Sequence, residues 1–285
     1  MQTPIELQAV YIPMDRRQAM VAGVTLPEQT TGAALFVDIS GFTPLTEALV
    51  ELLGPQRGAE ELTRYLNQVY DTLIAELDRF GGSVIGFSGD AITCWLDGDQ
   101  GRRATACALA MQEAMRPFQS APLPNTGAIS LAVKATVAVG PVHRFVVGDP
   151  ALQVIDVLSG ITLNHLAQAE HHAEKGEVLL TAAAAAAVGD AVIFSAWRET
   201  LHTDAQDEAP PARFGVAAGL REPVEPQPWP LLAADALSAA QVQPWLLPAV
   251  YERLRTGGGE FLAELRPAVS LFLRFGGLDY DHDPS

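Results

Sequence analysis

Two hydrophobic rhythms alternate along this chain. An apolar run from 33, closed by Asp38, predicts a buried strand over 33–39. A helix is expected next, over 44–53. From 56 to 80 the rhythm lengthens: Leu62, Leu66, Val69, Leu73, Leu77 and Phe80 recur three or four apart, which predicts a long amphipathic helix that Gly81-Gly82 ends. Strands at 83–87 and 91–96 follow, joined by a tight turn at Ser88-Gly89-Asp90. A third helix fits 101–116, where Ala104, Ala108, Met111 and Met115 share one face. Strands at 128–139 and 144–147, a helix at 160–174 and a short strand at 177–180 complete the pattern. This order predicts an α+β domain, an antiparallel-rich sheet covered by helices, rather than a doubly wound parallel sheet.

The flanks differ in character. Residues 1–30 form a lead punctuated by Pro and Arg, expected to lie as an arm on the domain. Beyond 196, Pro210, Pro211, Pro223, Pro226, Pro228, Pro230, Pro244 and Pro248 interrupt regular structure and Gly257-Gly258-Gly259 follows, so 196–260 reads as a linker. Near the end, Leu271-Phe272-Leu273-Arg274 echoes Leu35-Phe36-Val37-Asp38. Two strand segments can match by chance. The functional alternative is that 261–285 opens a second copy of the first domain, cut short, with Arg274 where the first copy has its carboxylate.

Composition narrows the function classes. A formal net charge of −16 argues against a nucleic-acid binder, which needs a basic face. It does not exclude a nucleotide substrate, because bound metal can neutralise a triphosphate. Cys94 and Cys107 lack metal-ligand spacing and are expected as buried, reduced thiols in a cytoplasmic protein. No signal-peptide pattern is present, and the alanine run at 182–187 is too short and too weakly apolar to span a bilayer.

The candidate chemistry rests on two aspartates. Asp38 closes the apolar run in Ala33-Ala34-Leu35-Phe36-Val37-Asp38-Ile39-Ser40-Gly41-Phe42-Thr43. Asp90 sits in Gly81-Gly82-Ser83-Val84-Ile85-Gly86-Phe87-Ser88-Gly89-Asp90-Ala91. Each stands where a short strand stops, beside glycines that let backbone and ligand approach. Two hard oxygen ligands on adjacent strand ends suit Mg2+ or Mn2+, and a metal so held suits a nucleoside triphosphate. Taken singly, either aspartate could be a simple turn former. The pair His171-His172, the pair Glu47 and Glu51, and the turn Gly148-Asp149-Pro150 read as solvated surface and turn. Trp95 and Phe87 read as core.

Phe36-Val37-Asp38-Ile39-Ser40-Gly41-Phe42-Thr43, the helical stretch after it, and Gly81-Gly82 through Phe87-Ser88-Gly89-Asp90-Ala91 resemble the class III nucleotidyl cyclase catalytic domain. They are most like the first, metal-donating domain of the soluble, bicarbonate-responsive adenylyl cyclases and their bacterial tandem relatives. The resemblance covers residues 31–195. It implies a ferredoxin-like βαββαβ core that works as a dimer of two such domains, with ATP bound at their interface. Asp38, the carbonyl of Ile39 and Asp90 match the positions that hold two metal ions. Ile39, Ser40, Gly41, Phe42 and Thr43, with Gly89 across from them, match the positions that line the triphosphate. The activity implied is adenylate cyclase, giving cyclic AMP and pyrophosphate.

The departures from the family pattern carry as much information. The lysine that reads the purine falls on Gly86, and the second purine contact falls on Val157. Aligning Gly160-Ile161-Thr162-Leu163-Asn164 with the family segment puts its asparagine at Asn164 and its arginine at Gln168. The domain thus keeps the metal ligands and lacks most of the complementary set, so a second cyclase domain is the expected partner and activity alone should be low. Gly86 and Gln168 also supply no charge where the soluble cyclases hold bicarbonate; Arg144 or His165 would have to stand in, and bicarbonate activation should be weak or absent. The competing reading is a degenerate cyclase-homology module that binds nucleotide or a partner without turnover.

Overall fold

The computed structural model describes residues 8–123, 127–199 and 212–256, together with Val269, Leu271 and Leu273. The expected start of a second domain at 261–285 lies, apart from those three positions, outside the described residues.

An arm helix α1 (Met14–Ala22) precedes the first strand, β1 (Gln29–Ser40). Two helices follow, α2 (Phe42–Leu53) and the 25-residue α3 (Pro55–Arg79). The hairpin of β2 (Ser83–Ser88) and β3 (Ala91–Asp97) leads into α4 (Arg102–Ala114). After two short strands, β4 (Ala121–Leu123) and β5 (Gly127–Ile129), come β6 (Ala132–Asp149) and β7 (Gln153–Ser159). The series continues with α5 (Ile161–Glu170), β8 (Val178–Thr181), α6 (Ala182–Val188), β9 (Val192–Glu199) and β10 (Arg213–Leu220). Two small helices, α7 (Ala239–Val242) and α8 (Pro248–Arg255), close the described chain.

The main sheet runs β2-β3-β1-β6-β8-β10-β9, with β7 paired to β6. Its first four strands each run antiparallel to their neighbours, the 2-3-1-4 order of a ferredoxin-like βαββαβ core, and β8 adds to β6 in parallel. Strand β1 is central, and its alternation divides the core. Ala33, Leu35, Val37 and Ile39 pack with α2, α3, α4 and α6, whereas Ala34 and Phe36 join Trp95, Leu163 and Leu166 under α5. Both faces are covered, which is why the run looks uniformly apolar. Asp38 belongs to the second set, one step beyond the apolar positions that α5 covers.

Several expectations need correction. The strand expected at 128–139 begins only at Ala132, with 127–129 forming the separate β5, and it runs on through 144–147 as one 18-residue strand. Gly140-Pro141 reads as a break, but Gly140 takes φ 151 and a Cβ there would come within 2.5 Å of Thr162 Oγ1. The strand continues because β1 pairs it as far as His143 and β7 pairs it from there to Asp149. Strand β7 itself escapes the apolar pattern because its polarity is inverted: Asp156 is buried while Ile155 is exposed. In the stretch expected as linker, Arg213–Leu220 is a sheet strand between β8 and β9. Phe87, expected in the core, is 58% exposed at the hairpin tip, whereas Trp95 is buried. Cys94 and Cys107 are both free and buried, and burial pushes both thiols up.

The Pro-rich segment after β10 is laid along the domain. Gln227 N–H donates to the Arg79 carbonyl at 3.0 Å and Trp229 Nε1–H to the Gly82 carbonyl at 2.7 Å. Leu237, Val242, Trp245, Leu246 and Leu254 then form a small core with Ala9, Ile12 and Val154, joining both chain flanks to the turn end of the β6–β7 hairpin. A buried ionic cluster lies alongside: Arg144 binds Asp15 of α1 and Asp156 of β7, and Arg16 also meets Asp156. Among the described residues, no helix is long and apolar enough to cross a membrane.

Candidate functional site

Register brings the two aspartates together. Asp38 pairs with Ala91 of β3, so the residue before Ala91, Asp90, lies at the same end of the sheet. A backbone hydrogen bond locks the approach: Ile39 N–H donates to the Asp90 carbonyl at 3.2 Å. Both side chains are partly exposed, at the open end of β1. Burial, more than any other cause, pushes the Asp38 carboxyl up; Lys134 opposes the rise, while the charges of Asp90 and Glu170 add to it. The charge of Asp90 thus bears on Asp38, as their shared end of the sheet requires.

The turn between β1 and α2 is built for close approach. Gly41 has φ 96, and a Cβ there would come within 2.5 Å of the Ser130 carbonyl oxygen. Only glycine accepts both constraints without strain. Gly41 is also the N-cap of α2 and offers no side chain to its first-turn amides. Side-chain caps occur at only some of the described helix starts, and α1, α3, α5 and α8 begin without one as α2 does. Asp99 accepts from Arg103 N–H and Ala104 N–H at the start of α4, and Thr181 Oγ1 accepts from Ala184 N–H in α6. At α2 the N-cap supplies no side-chain acceptor for those groups. Ser40, Phe42 and Thr43 border the same opening, Ser40 and Phe42 partly exposed and Thr43 exposed.

Three neighbours were not legible as site residues. Lys134 stands directly opposite Asp38 in the β1–β6 register, and its Nζ lies 3.3 Å from Asp38 Oδ2. The same ammonium pairs with Glu170 at the end of α5. Burial opposes its charge, but the Glu170 and Asp38 carboxylates outweigh that and raise its pKa. Tyr70 of α3 donates from Oη to the Gly89 carbonyl at 3.3 Å and meets Phe87 edge-on, with ring centroids 5.2 Å apart. Burial, then the charges of Asp90 and Asp38, push its phenol up. The only sequence signal for Lys134 was a charged residue interrupting an apolar strand.

The donor set fits a hard divalent cation. Two carboxylates at one end of the sheet, beside a backbone turn and in partial contact with solvent, are oxygen ligands of the kind Mg2+ and Mn2+ prefer. Among the described residues, no three His, Cys, Asp or Glu side chains converge, so further ligands would come from the backbone, water or a nucleotide.

The positions of the complementary set are also placed. Gly86 lies in β2 with open space where a side chain would stand, and β2 approaches β7, which carries Val157. Asn164, His165 and Gln168 are exposed on α5. Arg144 is enclosed by Asp15 and Asp156, so of the two basic side chains considered for an anion there only His165 faces solvent. His171 is exposed, and His172 stacks on Phe214 at 5.0 Å.

No family model matches the chain. It is 28% identical over 152 residues to adenylate cyclase type 10 of Mus musculus, a stretch that is 53% of this chain and 9% of the mouse protein. The chain therefore spans a small part of the length of that relative. Among solved structures, the guanylyl cyclase Cya2 superposes with a TM-score of 0.56 at 22% identity, covering 68% of this chain and 95% of Cya2. The dimeric guanylyl cyclase domain of the RhoGC fusion protein of Blastocladiella emersonii gives 0.53 at 18%, covering 68% of this chain and all (100%) of that one. The adenylyl cyclase CyaB from P. aeruginosa gives 0.52 at 20%, covering 69% and 97%. These likenesses show that the body of this chain has the fold of class III nucleotidyl cyclase domains, and over 152 residues its sequence is similar to adenylate cyclase type 10.

Proposed function

We propose that this chain is the metal-donating half of a class III adenylate cyclase, forming cyclic AMP and pyrophosphate from ATP at an interface with a second cyclase domain. The observation that carries the reading is the union of Asp38 and Asp90 at one end of the sheet, beside the Gly41 turn that leads into α2. Two Mg2+ or Mn2+ ions held by Asp38, Asp90 and the Ile39 carbonyl would lower the pKa of the ribose 3′-hydroxyl and neutralise the departing pyrophosphate. The first-turn amides of α2 receive the β- and γ-phosphates, with Ser40, Gly41, Phe42 and Thr43 as the cradle. Gly89 lets the nucleotide pass close to the hairpin turn. Lys134, already beside Asp38, adds positive charge for the triphosphate. The protein supplies no nucleophile; it positions the hydroxyl and phosphates and stabilises developing charge.

A partner surface accompanies this site. On the β6–β7 hairpin, Val146, Val147, Leu152 and Ile155 are 43–64% exposed. An apolar arm of this kind suits burial against a second domain. That domain would bring the base-reading lysine and the asparagine–arginine pair that Gly86 and Gln168 do not provide. The same absences favour the second reading, a regulatory module without turnover, if no complementary domain exists.

The test is cyclic nucleotide formation from ATP and from GTP with Mn2+, by the chain alone and mixed with a class III domain carrying the lysine and asparagine–arginine pair. Near-background rates alone and cyclic AMP in the mixture are expected. Losing one charged transition-state group costs about 10²–10³-fold in rate, which sets the contrast. Product formation untouched by Asp90→Asn would reject the metal assignment. Mn2+-dependent ATP binding with no product in any mixture would favour the regulatory module.

A further inference from the structure

Lys134 touches two carboxylates that have different jobs. Asp38 is a metal ligand in the reading proposed above, on which this inference rests, whereas Glu170 lies at the end of α5 and belongs to no predicted site. The ammonium sits closer to Glu170 than to Asp38. All three side chains are mostly enclosed, with exposures of 20–23%, so neither contact is a loose surface pairing. A lysine drawn fully onto Asp38 would occupy a carboxylate that the cation needs and would repel the cation as well.

We infer that Glu170 is a positioning residue that acts through Lys134, holding the ammonium off Asp38 so that divalent metal can bind there. Lys134 is a placeholder cation. It stays beside Asp38 while the site is empty of metal, and Glu170 receives it when metal takes Asp38. The end of α5 thereby sets the metal affinity of a site built on β1 and the β2–β3 turn. Opposite effects follow for the two partners. Removing the Glu170 charge leaves Lys134 with Asp38 as its remaining carboxylate and weakens metal binding. Removing the ammonium frees Asp38 and tightens it.

The experiment is Mn2+ titration of the full chain without nucleotide, followed by the electron paramagnetic resonance signal of free Mn2+. Circular dichroism and thermal melting check that each variant is folded. Glu170→Gln should weaken Mn2+ about three- to tenfold and Lys134→Met should tighten it by a similar factor, as expected for one unit charge a few ångströms from the ion. In the Lys134→Met background, Glu170→Gln should move the affinity by less than about twofold. A merely structural role for Glu170 would not produce opposite signs or this loss of effect. Equal weakening in both backgrounds would mean that Glu170 acts directly through its own field, and the inference fails. Binding abolished by Asp38→Asn but unmoved by Glu170→Gln sinks this inference alone, whereas absence of saturable Mn2+ binding to the unaltered chain overturns the metal-site reading with it.

Discussion

Asp38→Asn separates the demands of the fold from those of the site. Burial and the charges of Asp90 and Glu170 raise the Asp38 pKa in the folded chain, against the opposing pull of Lys134. A carboxyl with a raised folded pKa contributes stability that is fully present below its unfolded pKa, near pH 4, and is lost as pH rises through the folded value. At neutral pH the ionised Asp38 is therefore a small net burden on the metal-free fold. Asparagine keeps the shape and removes the charge, and Lys134 retains Glu170. The metal-free variant should then be as stable as the parent or slightly more so, by under about 1 kcal/mol after screening. Ligand-linked stability should behave oppositely. At a ligand concentration of 100 Kd the parent gains about 2.7 kcal/mol, and the variant should gain almost none. For a domain of this size that is a melting shift of roughly 5–10 °C. Differential scanning fluorimetry at pH 7.5, with and without Mn2+ and a non-cyclisable ATP analogue, reads both quantities. A variant clearly less stable than the parent without metal would refute the electrostatic argument. A variant that keeps the Mn2+- and nucleotide-dependent shift would refute the site. Between pH 7 and pH 5, the parent should also lose less stability than the variant.

Two further predictions concern the scaffold that holds the site. Gly41→Ala forces a side chain onto a φ of 96 and against the Ser130 carbonyl; urea denaturation should show a loss of about 1–3 kcal/mol, and an unchanged midpoint would contradict the turn geometry. Arg144→Ala leaves the buried Asp15 and Asp156 with one fewer cation, for a loss of about 3–5 kcal/mol, whereas Arg64→Ala, which removes an exposed pairing with Glu61, should cost under about 1 kcal/mol.

What the chain's own pattern determined is the part governed by local spacing. The helical repeat of Leu62, Leu66, Val69, Leu73 and Leu77 and the unbroken run ending at Asp38 are local burial patterns, and they predict α3 and β1 to within a few residues. The β2–β3 hairpin and its Asp90 turn were legible for the same reason, since glycine and short apolar runs punctuate the backbone directly. Asp38 and Asp90 were visible as candidates because each ends an apolar run beside glycines. Their neighbourhood was not, because it depends on register between segments far apart in sequence. Lys134 faces Asp38 only through the pairing of β6 with β1, and Glu170 reaches Lys134 only because α5 lies on that face of the sheet.

The tertiary structure decided three other matters. It kept β6 continuous through Gly140-Pro141, because strands on both sides supply pairing that a local reading of glycine and proline does not foresee. It turned Asp156 inward, because Arg144 and Arg16 wait there to neutralise it, and so hid β7 from any apolar count. It also placed Phe87 at an exposed hairpin tip against Tyr70, where alternation alone assigns no partner. Each is a long-range electrostatic or pairing effect, and local sequence carries only one half of it.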